Sequence, residues 1–348
     1  MDSSKKIYVT LIVITTVLVF IYAQSIIIPF ILAVILWFII RVIKKTLIRI
    51  KFADRLPHWI INIFSTLLLL GFVAMTVEMI TQSISQLSET MPVYQENVNK
   101  ITSAINSRFD IDLGNMISDA AKDFQFTKIL AGLFSAITGI FGDAFTVILY
   151  LIFIMLEEPV FPKKIRAMYP NDEKYKHVNQ LIGKIDHSIG SYIALKTLVS
   201  LLTGLLSYFA LLFIGIDAPV FWAFLIFILN FIPTIGSLIA TMFPVIFALL
   251  QFGDFTQGIL VLTIVGAIQL VIGNFVEPRL MGNTLNISPL VVLLTLAIWG
   301  VMWGITGMLL SVPITVIIII IMNEFPSARP IAILLTQSGK VNMDNNDK

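Results

Sequence analysis

Cysteine is absent from this chain, which excludes disulfides and thiolate metal sites. Histidine occurs only at His58, His177 and His187, without metal-ligand spacing, so no metal site is expected. Charge is scarce as well: 13% of the 348 residues are Asp, Glu, Lys or Arg, against about 25% in soluble domains. Two further absences bear on catalysis. There is no Gly-rich phosphate loop ending in Lys-Ser/Thr, since Gly183-Lys184 is followed by Ile185, and no Gly-x-Ser-x-Gly nucleophile turn. An enzyme is therefore not expected, nor a cofactor, and active transport would have to use an ion gradient in place of ATP. The net charge of +2 gives no basic stripe for nucleic acid.

What the chain has instead is apolar sequence. Hydrophobic residues make up 57% of it and the mean hydropathy is +0.94, which points to lipid as the main solvent. They come in long runs, the pattern of a segment surrounded by lipid on every side. The run after Lys5 and Lys6 continues to Ile40 with only Gln24 and Ser25 as breaks. One straight helix would be about 50 Å long against a hydrocarbon core of about 30 Å, so two spans are expected, Ile7 to Tyr22 and Ile26 to Ile40. Arg41, Lys44, Lys45, Arg49, Lys51 and Arg55 follow, and the positive-inside rule puts them and the N-terminus in the cytoplasm.

The remaining organisation follows from similar patterns. A third span runs from Trp59 to about Met75, completing residues 1–75. Residues 76–128 read as a small extracytoplasmic helical insert, in which Ile80, Ile84, Leu87, Met91, Tyr94, Val98, Ile101 and Ile105 form a heptad stripe broken near Pro92. Residues 129–214 hold a fourth span, Ile129 to Leu156, a basic cytoplasmic stretch, and an amphipathic helix capped by Asn171 or Asp172. That helix leads into a fifth span, Ile193 to Ile214, whose Ser200, Thr203, Gly204 and Ser207 form a small-residue face for close packing. Residues 215–323 read as a broken-helix transport region, and 324–348 as a polar cytoplasmic tail.

Within 215–323, the apolar run Val220 to Leu250 is interrupted from Asn230 to Ser237, leaving two pieces shorter than the roughly twenty residues of a span. Backbone broken at membrane depth survives only where protein or a wet cavity replaces lipid. Asn230, Pro233, Thr234, Gly236 and Ser237, with a half-helix starting near Gly236, are accordingly candidates for substrate binding or translocation. The competing reading is a surface loop between two tilted spans. A seventh span, Ile259 to Ile272, is expected to end in a polar turn carrying Asn274, Glu277, Pro278, Arg279 and Gly282, with Glu277 and Arg279 in extended or turn backbone beside the proline. Leu290 to Met322 is again too long for one straight span, and Gly300, Gly304, Gly307 and Pro313 are its expected interruptions. For ion coupling the candidates are Asp143 and Glu277. Lys196 reads as a lysine snorkelling to the interface, and Gln269 and Asn62 as interhelical hydrogen-bond partners.

Three C-terminal blocks, taken in order, resemble the autoinducer-2 exporter family of bacterial permeases: EPRLMG from Glu277, SPLVVLL from Ser288, and WGITGMLLSVP from Trp303 to Pro313. The FIPTIGS break from Phe231 to Ser237 resembles it too. The resemblance implies an all-α polytopic protein of about eight membrane segments, broken or re-entrant helices included, in the bacterial cytoplasmic membrane, homo-oligomeric and with cytoplasmic termini. It also implies movement of a small polar solute, by export of an autoinducer-2-like signalling molecule or, as in other relatives, by sodium or lithium/proton antiport. A membrane-anchored interaction protein using the heptad stripe is the reading from outside transport.

Overall fold

A computed structural model of the chain describes residues 11, 15, 16, 18–48, 58–90, 92–94, 96, 97, 100, 144–281 and 286–339. In chain order the helices are α1 (Gln24–Ile48), α2 (His58–Glu89), α3 (Ala144–Glu157), α4 (Phe161–Met168), α5 (Asp172–Ile214), α6 (Pro219–Leu229), α7 (Ile235–Phe252) and α8 (Phe255–Val271). A π-helical turn (Ile272–Val276) carries α8 into α9 (Glu277–Met281), and α10 (Pro289–Glu324) and α11 (Arg329–Leu335) complete the order. Six helices among the described residues are long and apolar enough to cross a bilayer, or seven if α3 and α4, bent by 64° at their junction, form one span. The chain is an all-α polytopic membrane protein. Most of the expected insert, the beginning of the first span, the fourth span up to residue 143, and both Asp143 and Gly282 lie outside the described residues.

The chain folds as two units, one drawn from residues 1–54, 136–194 and 283–348, the other from 55–135 and 195–282. In the first unit, α1 packs along α3, with Phe30 edge-on to Tyr150 at 5.8 Å and Ala33 fully buried. Near the end of α1, the Trp37 indole N–H donates to Glu158 at 2.8 Å, and Arg41 pairs with Asp186 while stacking 4.7 Å over Trp37. Asn171 caps α5 as expected, its side-chain oxygen accepting from the backbone N–H groups of Glu173 and Lys174 at 2.9 and 3.2 Å. Amphipathic helix and fifth span are one 43-residue rod, about 64 Å long.

Four interruptions are expected in the last apolar run, and the structure makes one. Backbone leaves the helix only at Trp303 (φ −131°, ψ 15°) and Gly304 (φ 60°, ψ −142°), whereas Pro313 sits inside the helix that follows. A Cβ on Gly307 would come within 1.9 Å of the Trp299 carbonyl oxygen. In a straight helix those residues are about 12 Å apart along the axis, so the chain doubles back here. Trp299, Trp303 and Leu310 close the bend, packed by Phe20, Ile27, Ile28 and Ile31, and the Trp303 indole N–H donates to the Phe20 carbonyl at 2.9 Å.

The second unit buries the part of the heptad stripe that is described. α2 runs unbroken to Glu89, and a further turn after Pro92 carries Tyr94 and Asn97, both buried. Tyr94 meets Phe247 edge-on at 5.2 Å and donates its hydroxyl to Asp217 at 2.8 Å. Burial, and next the bond to the Asp217 carboxylate, push the Tyr94 phenol above its ordinary pKa, so it stays a donor throughout the physiological range. The Asn97 amide donates to the Leu250 and Gln251 carbonyls at 3.1 and 2.7 Å, two acceptors left unsatisfied at the end of α7. Gly253 ends that helix with φ 65°, and a Cβ there would press on the Asn97 amide at 3.1 Å. Asn97→Ala is therefore expected to cost about 1–3 kcal/mol, seen as a lower thermal midpoint in detergent. Asn97→Asp should do no better, because a carboxylate cannot donate.

Candidate functional site

Along α5, Lys196, Ser200, Thr203 and Ser207 recur at spacings of four, three and four residues, which places them on one helix face. All four are buried, which is unusual for a stripe of this polarity inside an apolar rod. Close packing explains how it is covered: a Cβ on Gly204 would sit 3.1 Å from the Ala223 carbonyl and 3.2 Å from the Phe227 Cβ, so α6 lies directly on this face. Thr203 satisfies its hydroxyl locally by donating to the Val199 carbonyl at 2.8 Å. Lys196 and Ser200 instead find partners on the two interrupted segments.

The first partner is Asn230, at the end of α6, whose side-chain amide donates to the Ser200 hydroxyl at 3.2 Å. Beyond it the chain reverses tightly. Ile235 N–H donates to the Pro233 carbonyl at 2.6 Å around Thr234, whose φ of 61° and ψ of −60° form a strained γ-turn. Positive φ is costly for a β-branched residue, on the order of 1–3 kcal/mol, and such strain collects where function needs it. Gly236 lets the reversal close: its Cβ would fall 1.9 Å from the Leu229 carbonyl oxygen. Ser237 donates its hydroxyl to the Thr234 carbonyl at 2.9 Å, and no side chain caps the start of α7. Thr234 is exposed and Ser237 half-buried.

Glu277 is the second partner, and it forms a salt bridge with Lys196. The lysine side chain is 5% exposed and the glutamate 21%. Both residues depart from what their sequence surroundings suggest. The expected turn around Pro278 is a helix, with Glu277 at φ −58° and ψ −50°. A proline ring normally collides with the carbonyl four residues back, but the preceding π turn widens the helix and shifts the Glu277 N–H onto the Ile272 carbonyl five residues back. Helicity thus continues through the proline and turns Glu277 toward α5. Lys196 does not snorkel; its partner lies 81 residues away, and no local pattern points to it.

The other candidates divide by exposure. Asn274 donates to the Leu270 carbonyl at 3.1 Å on its own helix, and Asn274, Pro278 and Arg279 are all exposed. Arg279 makes no ion pair among the described residues. Glu277 and Asn230 are thus the two candidates brought onto the α5 stripe, one helical turn apart. On α5 itself, the Thr197 and Ser207 hydroxyls are buried with no hydrogen-bond partner among the described residues, and so is the Gln269 amide nitrogen on α8. Gln269 is expected to bond across helices, and among the described residues its amide nitrogen has no partner. The Asn62 side chain lies outside the described residues. Together these groups offer an ammonium, a carboxylate, an amide and hydroxyls along about 17 Å of helix.

Residues 9–327 match the family model described as AI-2E family transporter. The "AI-2 transport protein TqsA" of Escherichia coli is 33% identical over 92% of this chain and 92% of its own length. A "Putative transport protein" of Borreliella burgdorferi is 31% identical over 94% of this chain and 89% of its own. A "Sodium-lithium/proton antiporter" of Halobacillus andaensis is 27% identical over 67% of each chain.

Proposed function

The chain belongs to the AI-2E transporter family, and from that premise we propose that it exports a small polar solute of the autoinducer-2 type across the bacterial cytoplasmic membrane. It works as a secondary permease, homo-oligomeric, with its N-terminus in the cytoplasm. The observation that carries this reading is the buried Lys196–Glu277 pair one turn from the Asn230–Ser200 bond. Charges in a membrane segment are expensive unless paired or facing a wet cavity, and they mark substrate pathways. A neutral pair on a helix face that also carries the Asn230 amide and hydroxyls without a partner among the described residues suits a polyhydroxylated molecule, which both donates and accepts and adds no net charge. The strained turn at Thr234 and the close approach at Gly236 form the element whose rearrangement admits the solute.

One observation favours a second reading. Glu277 already holds a cation, the Lys196 ammonium, and a sodium or lithium ion that binds the carboxylate as Lys196 releases its proton would leave the charge count unchanged. That reading makes the protein a cation/proton antiporter with Asp143, Glu277 or both as coupling acids.

The two readings separate in one experiment on a deletion strain and its complements. Export predicts a polar metabolite retained inside the deletion strain and released by the wild-type gene but not by Glu277→Gln. Everted vesicles loaded with a pH dye should then be silent to sodium and lithium. A sodium-dependent dye signal lost on Asp143→Asn or Glu277→Gln, with no metabolite difference, would replace export by antiport.

A further inference from the structure

Where the basic end of α1 meets α5, in the first unit, there is a cavity of about 310 Å³, in the range of small-molecule sites of roughly 300–1,000 Å³. Its polar end carries Arg41, Lys45, Asp186 and His187, and its apolar end Phe38 and Ala194. Phe38 and Lys45, like His187 and Ala194, are seven positions apart, about 10 Å of helix, so the cavity grades from charged to apolar along both walls.

The charges are not equivalent. Arg41 is engaged by Asp186, lies 3.8 Å from Glu158 and stacks on Trp37, so its charge is already balanced. Lys45 and His187 are exposed, line the same cavity, and have no acidic partner among the described residues. The cavity thus offers an uncompensated ammonium and an imidazole at its mouth, with the nearby carboxylate occupied.

We propose that this cavity binds the head group of an anionic phospholipid, its phosphodiester on Lys45 and His187 and the start of its acyl chains against Phe38 and Ala194. One uncompensated positive charge suits a phosphodiester, which carries a single negative charge. The apolar floor favours a lipid over a free phosphate, which has nothing to bury there. The position fits as well: α1 is long and apolar enough to span, and its basic end is the one the positive-inside rule assigns to the cytoplasm, where anionic head groups meet basic pockets between spans. The proposal does not depend on what the protein transports.

The full-length protein, purified and delipidated in mild detergent, tests this by thermal unfolding and direct lipid titration. Phosphatidylglycerol is expected to raise the unfolding midpoint and to bind at least tenfold tighter than phosphatidylcholine. Lys45→Ala/His187→Ala should erase that tenfold preference, while Lys45→Arg and Lys44→Ala, the latter outside the cavity, should keep it. Equal binding of the two lipids, or an unchanged preference in the double variant, overturns the proposal. So does an equal shift from soluble glycerol 3-phosphate, which would mean a site for free phosphate esters.

Discussion

Glu277→Gln is expected to abolish transport and to destabilise the protein by about 3 kcal/mol, near the lower end of the range for removing one partner of a buried ion pair. The lower end applies because the glutamate keeps 21% of its side chain exposed, so the pair is not fully desolvated. Lys196→Met should cost less stability, since it strands the more exposed partner, yet should stop transport as completely. The double variant Lys196→Met/Glu277→Gln separates structure from function. With neither charge left to bury, it should regain most of the lost stability, because replacing a buried pair as a whole is often neutral. Transport should not return. A double variant that transports would reduce the pair to scaffolding, and single variants as stable as wild type would mean that the two charges are solvated separately.

Gly236→Ala and Gly307→Ala are expected to be nearly as damaging for a different reason. Each places a Cβ 1.9 Å from a backbone carbonyl oxygen, Leu229 in one case and Trp299 in the other. A carbonyl held by its own helix cannot swing away as a flexible side chain can, so the reversal itself must open. Overpacking of this kind costs about 3 kcal/mol. Gly71→Ala and Gly266→Ala supply the comparison, because their Cβ atoms would meet nothing within 4 Å and both lie in regular helix. Those two should be neutral or stabilising by up to about 1 kcal/mol. Thermal midpoints of the four variants in one detergent check the contrast, and equal shifts for all four would contradict it.

These two glycines also show how far the sequence could be read. The interruption between Asn230 and Ser237 is legible because Asn, Pro and Gly cluster inside an otherwise apolar run, and the structure has a helix break at that position. In the last run the bend is equally legible, but three glycines and a proline compete for it. Choosing Trp303 and Gly304 takes the tryptophan packing that only tertiary structure supplies. The Asn171 cap and the small-residue face of α5 are local patterns, and both are found as expected.

Where structure departs from pattern, the cause is tertiary. Pro278 predicts a turn, and a π turn, which leaves no signature in composition, cancels that preference. Lys196 looks like any lysine near the start of a span until Glu277 is placed opposite. In the same way, the heptad stripe announces that Leu87 and Tyr94 must dock but not on what; the aromatic cluster at Phe247 and the carboxylate of Asp217 are remote in sequence. Periodicity marks faces, and only the fold pairs them.

The absence of cysteine makes the account directly measurable, since a single introduced thiol at Ser237 would be the chain's only one. If the turn at residues 230–237 borders a solute pathway, Ser237→Cys should react with a membrane-impermeant maleimide in right-side-out and in everted vesicles alike, as the pathway opens to each side in turn. Labelling from one side alone, however long the exposure, would make the turn a fixed surface loop and remove the proposed pathway.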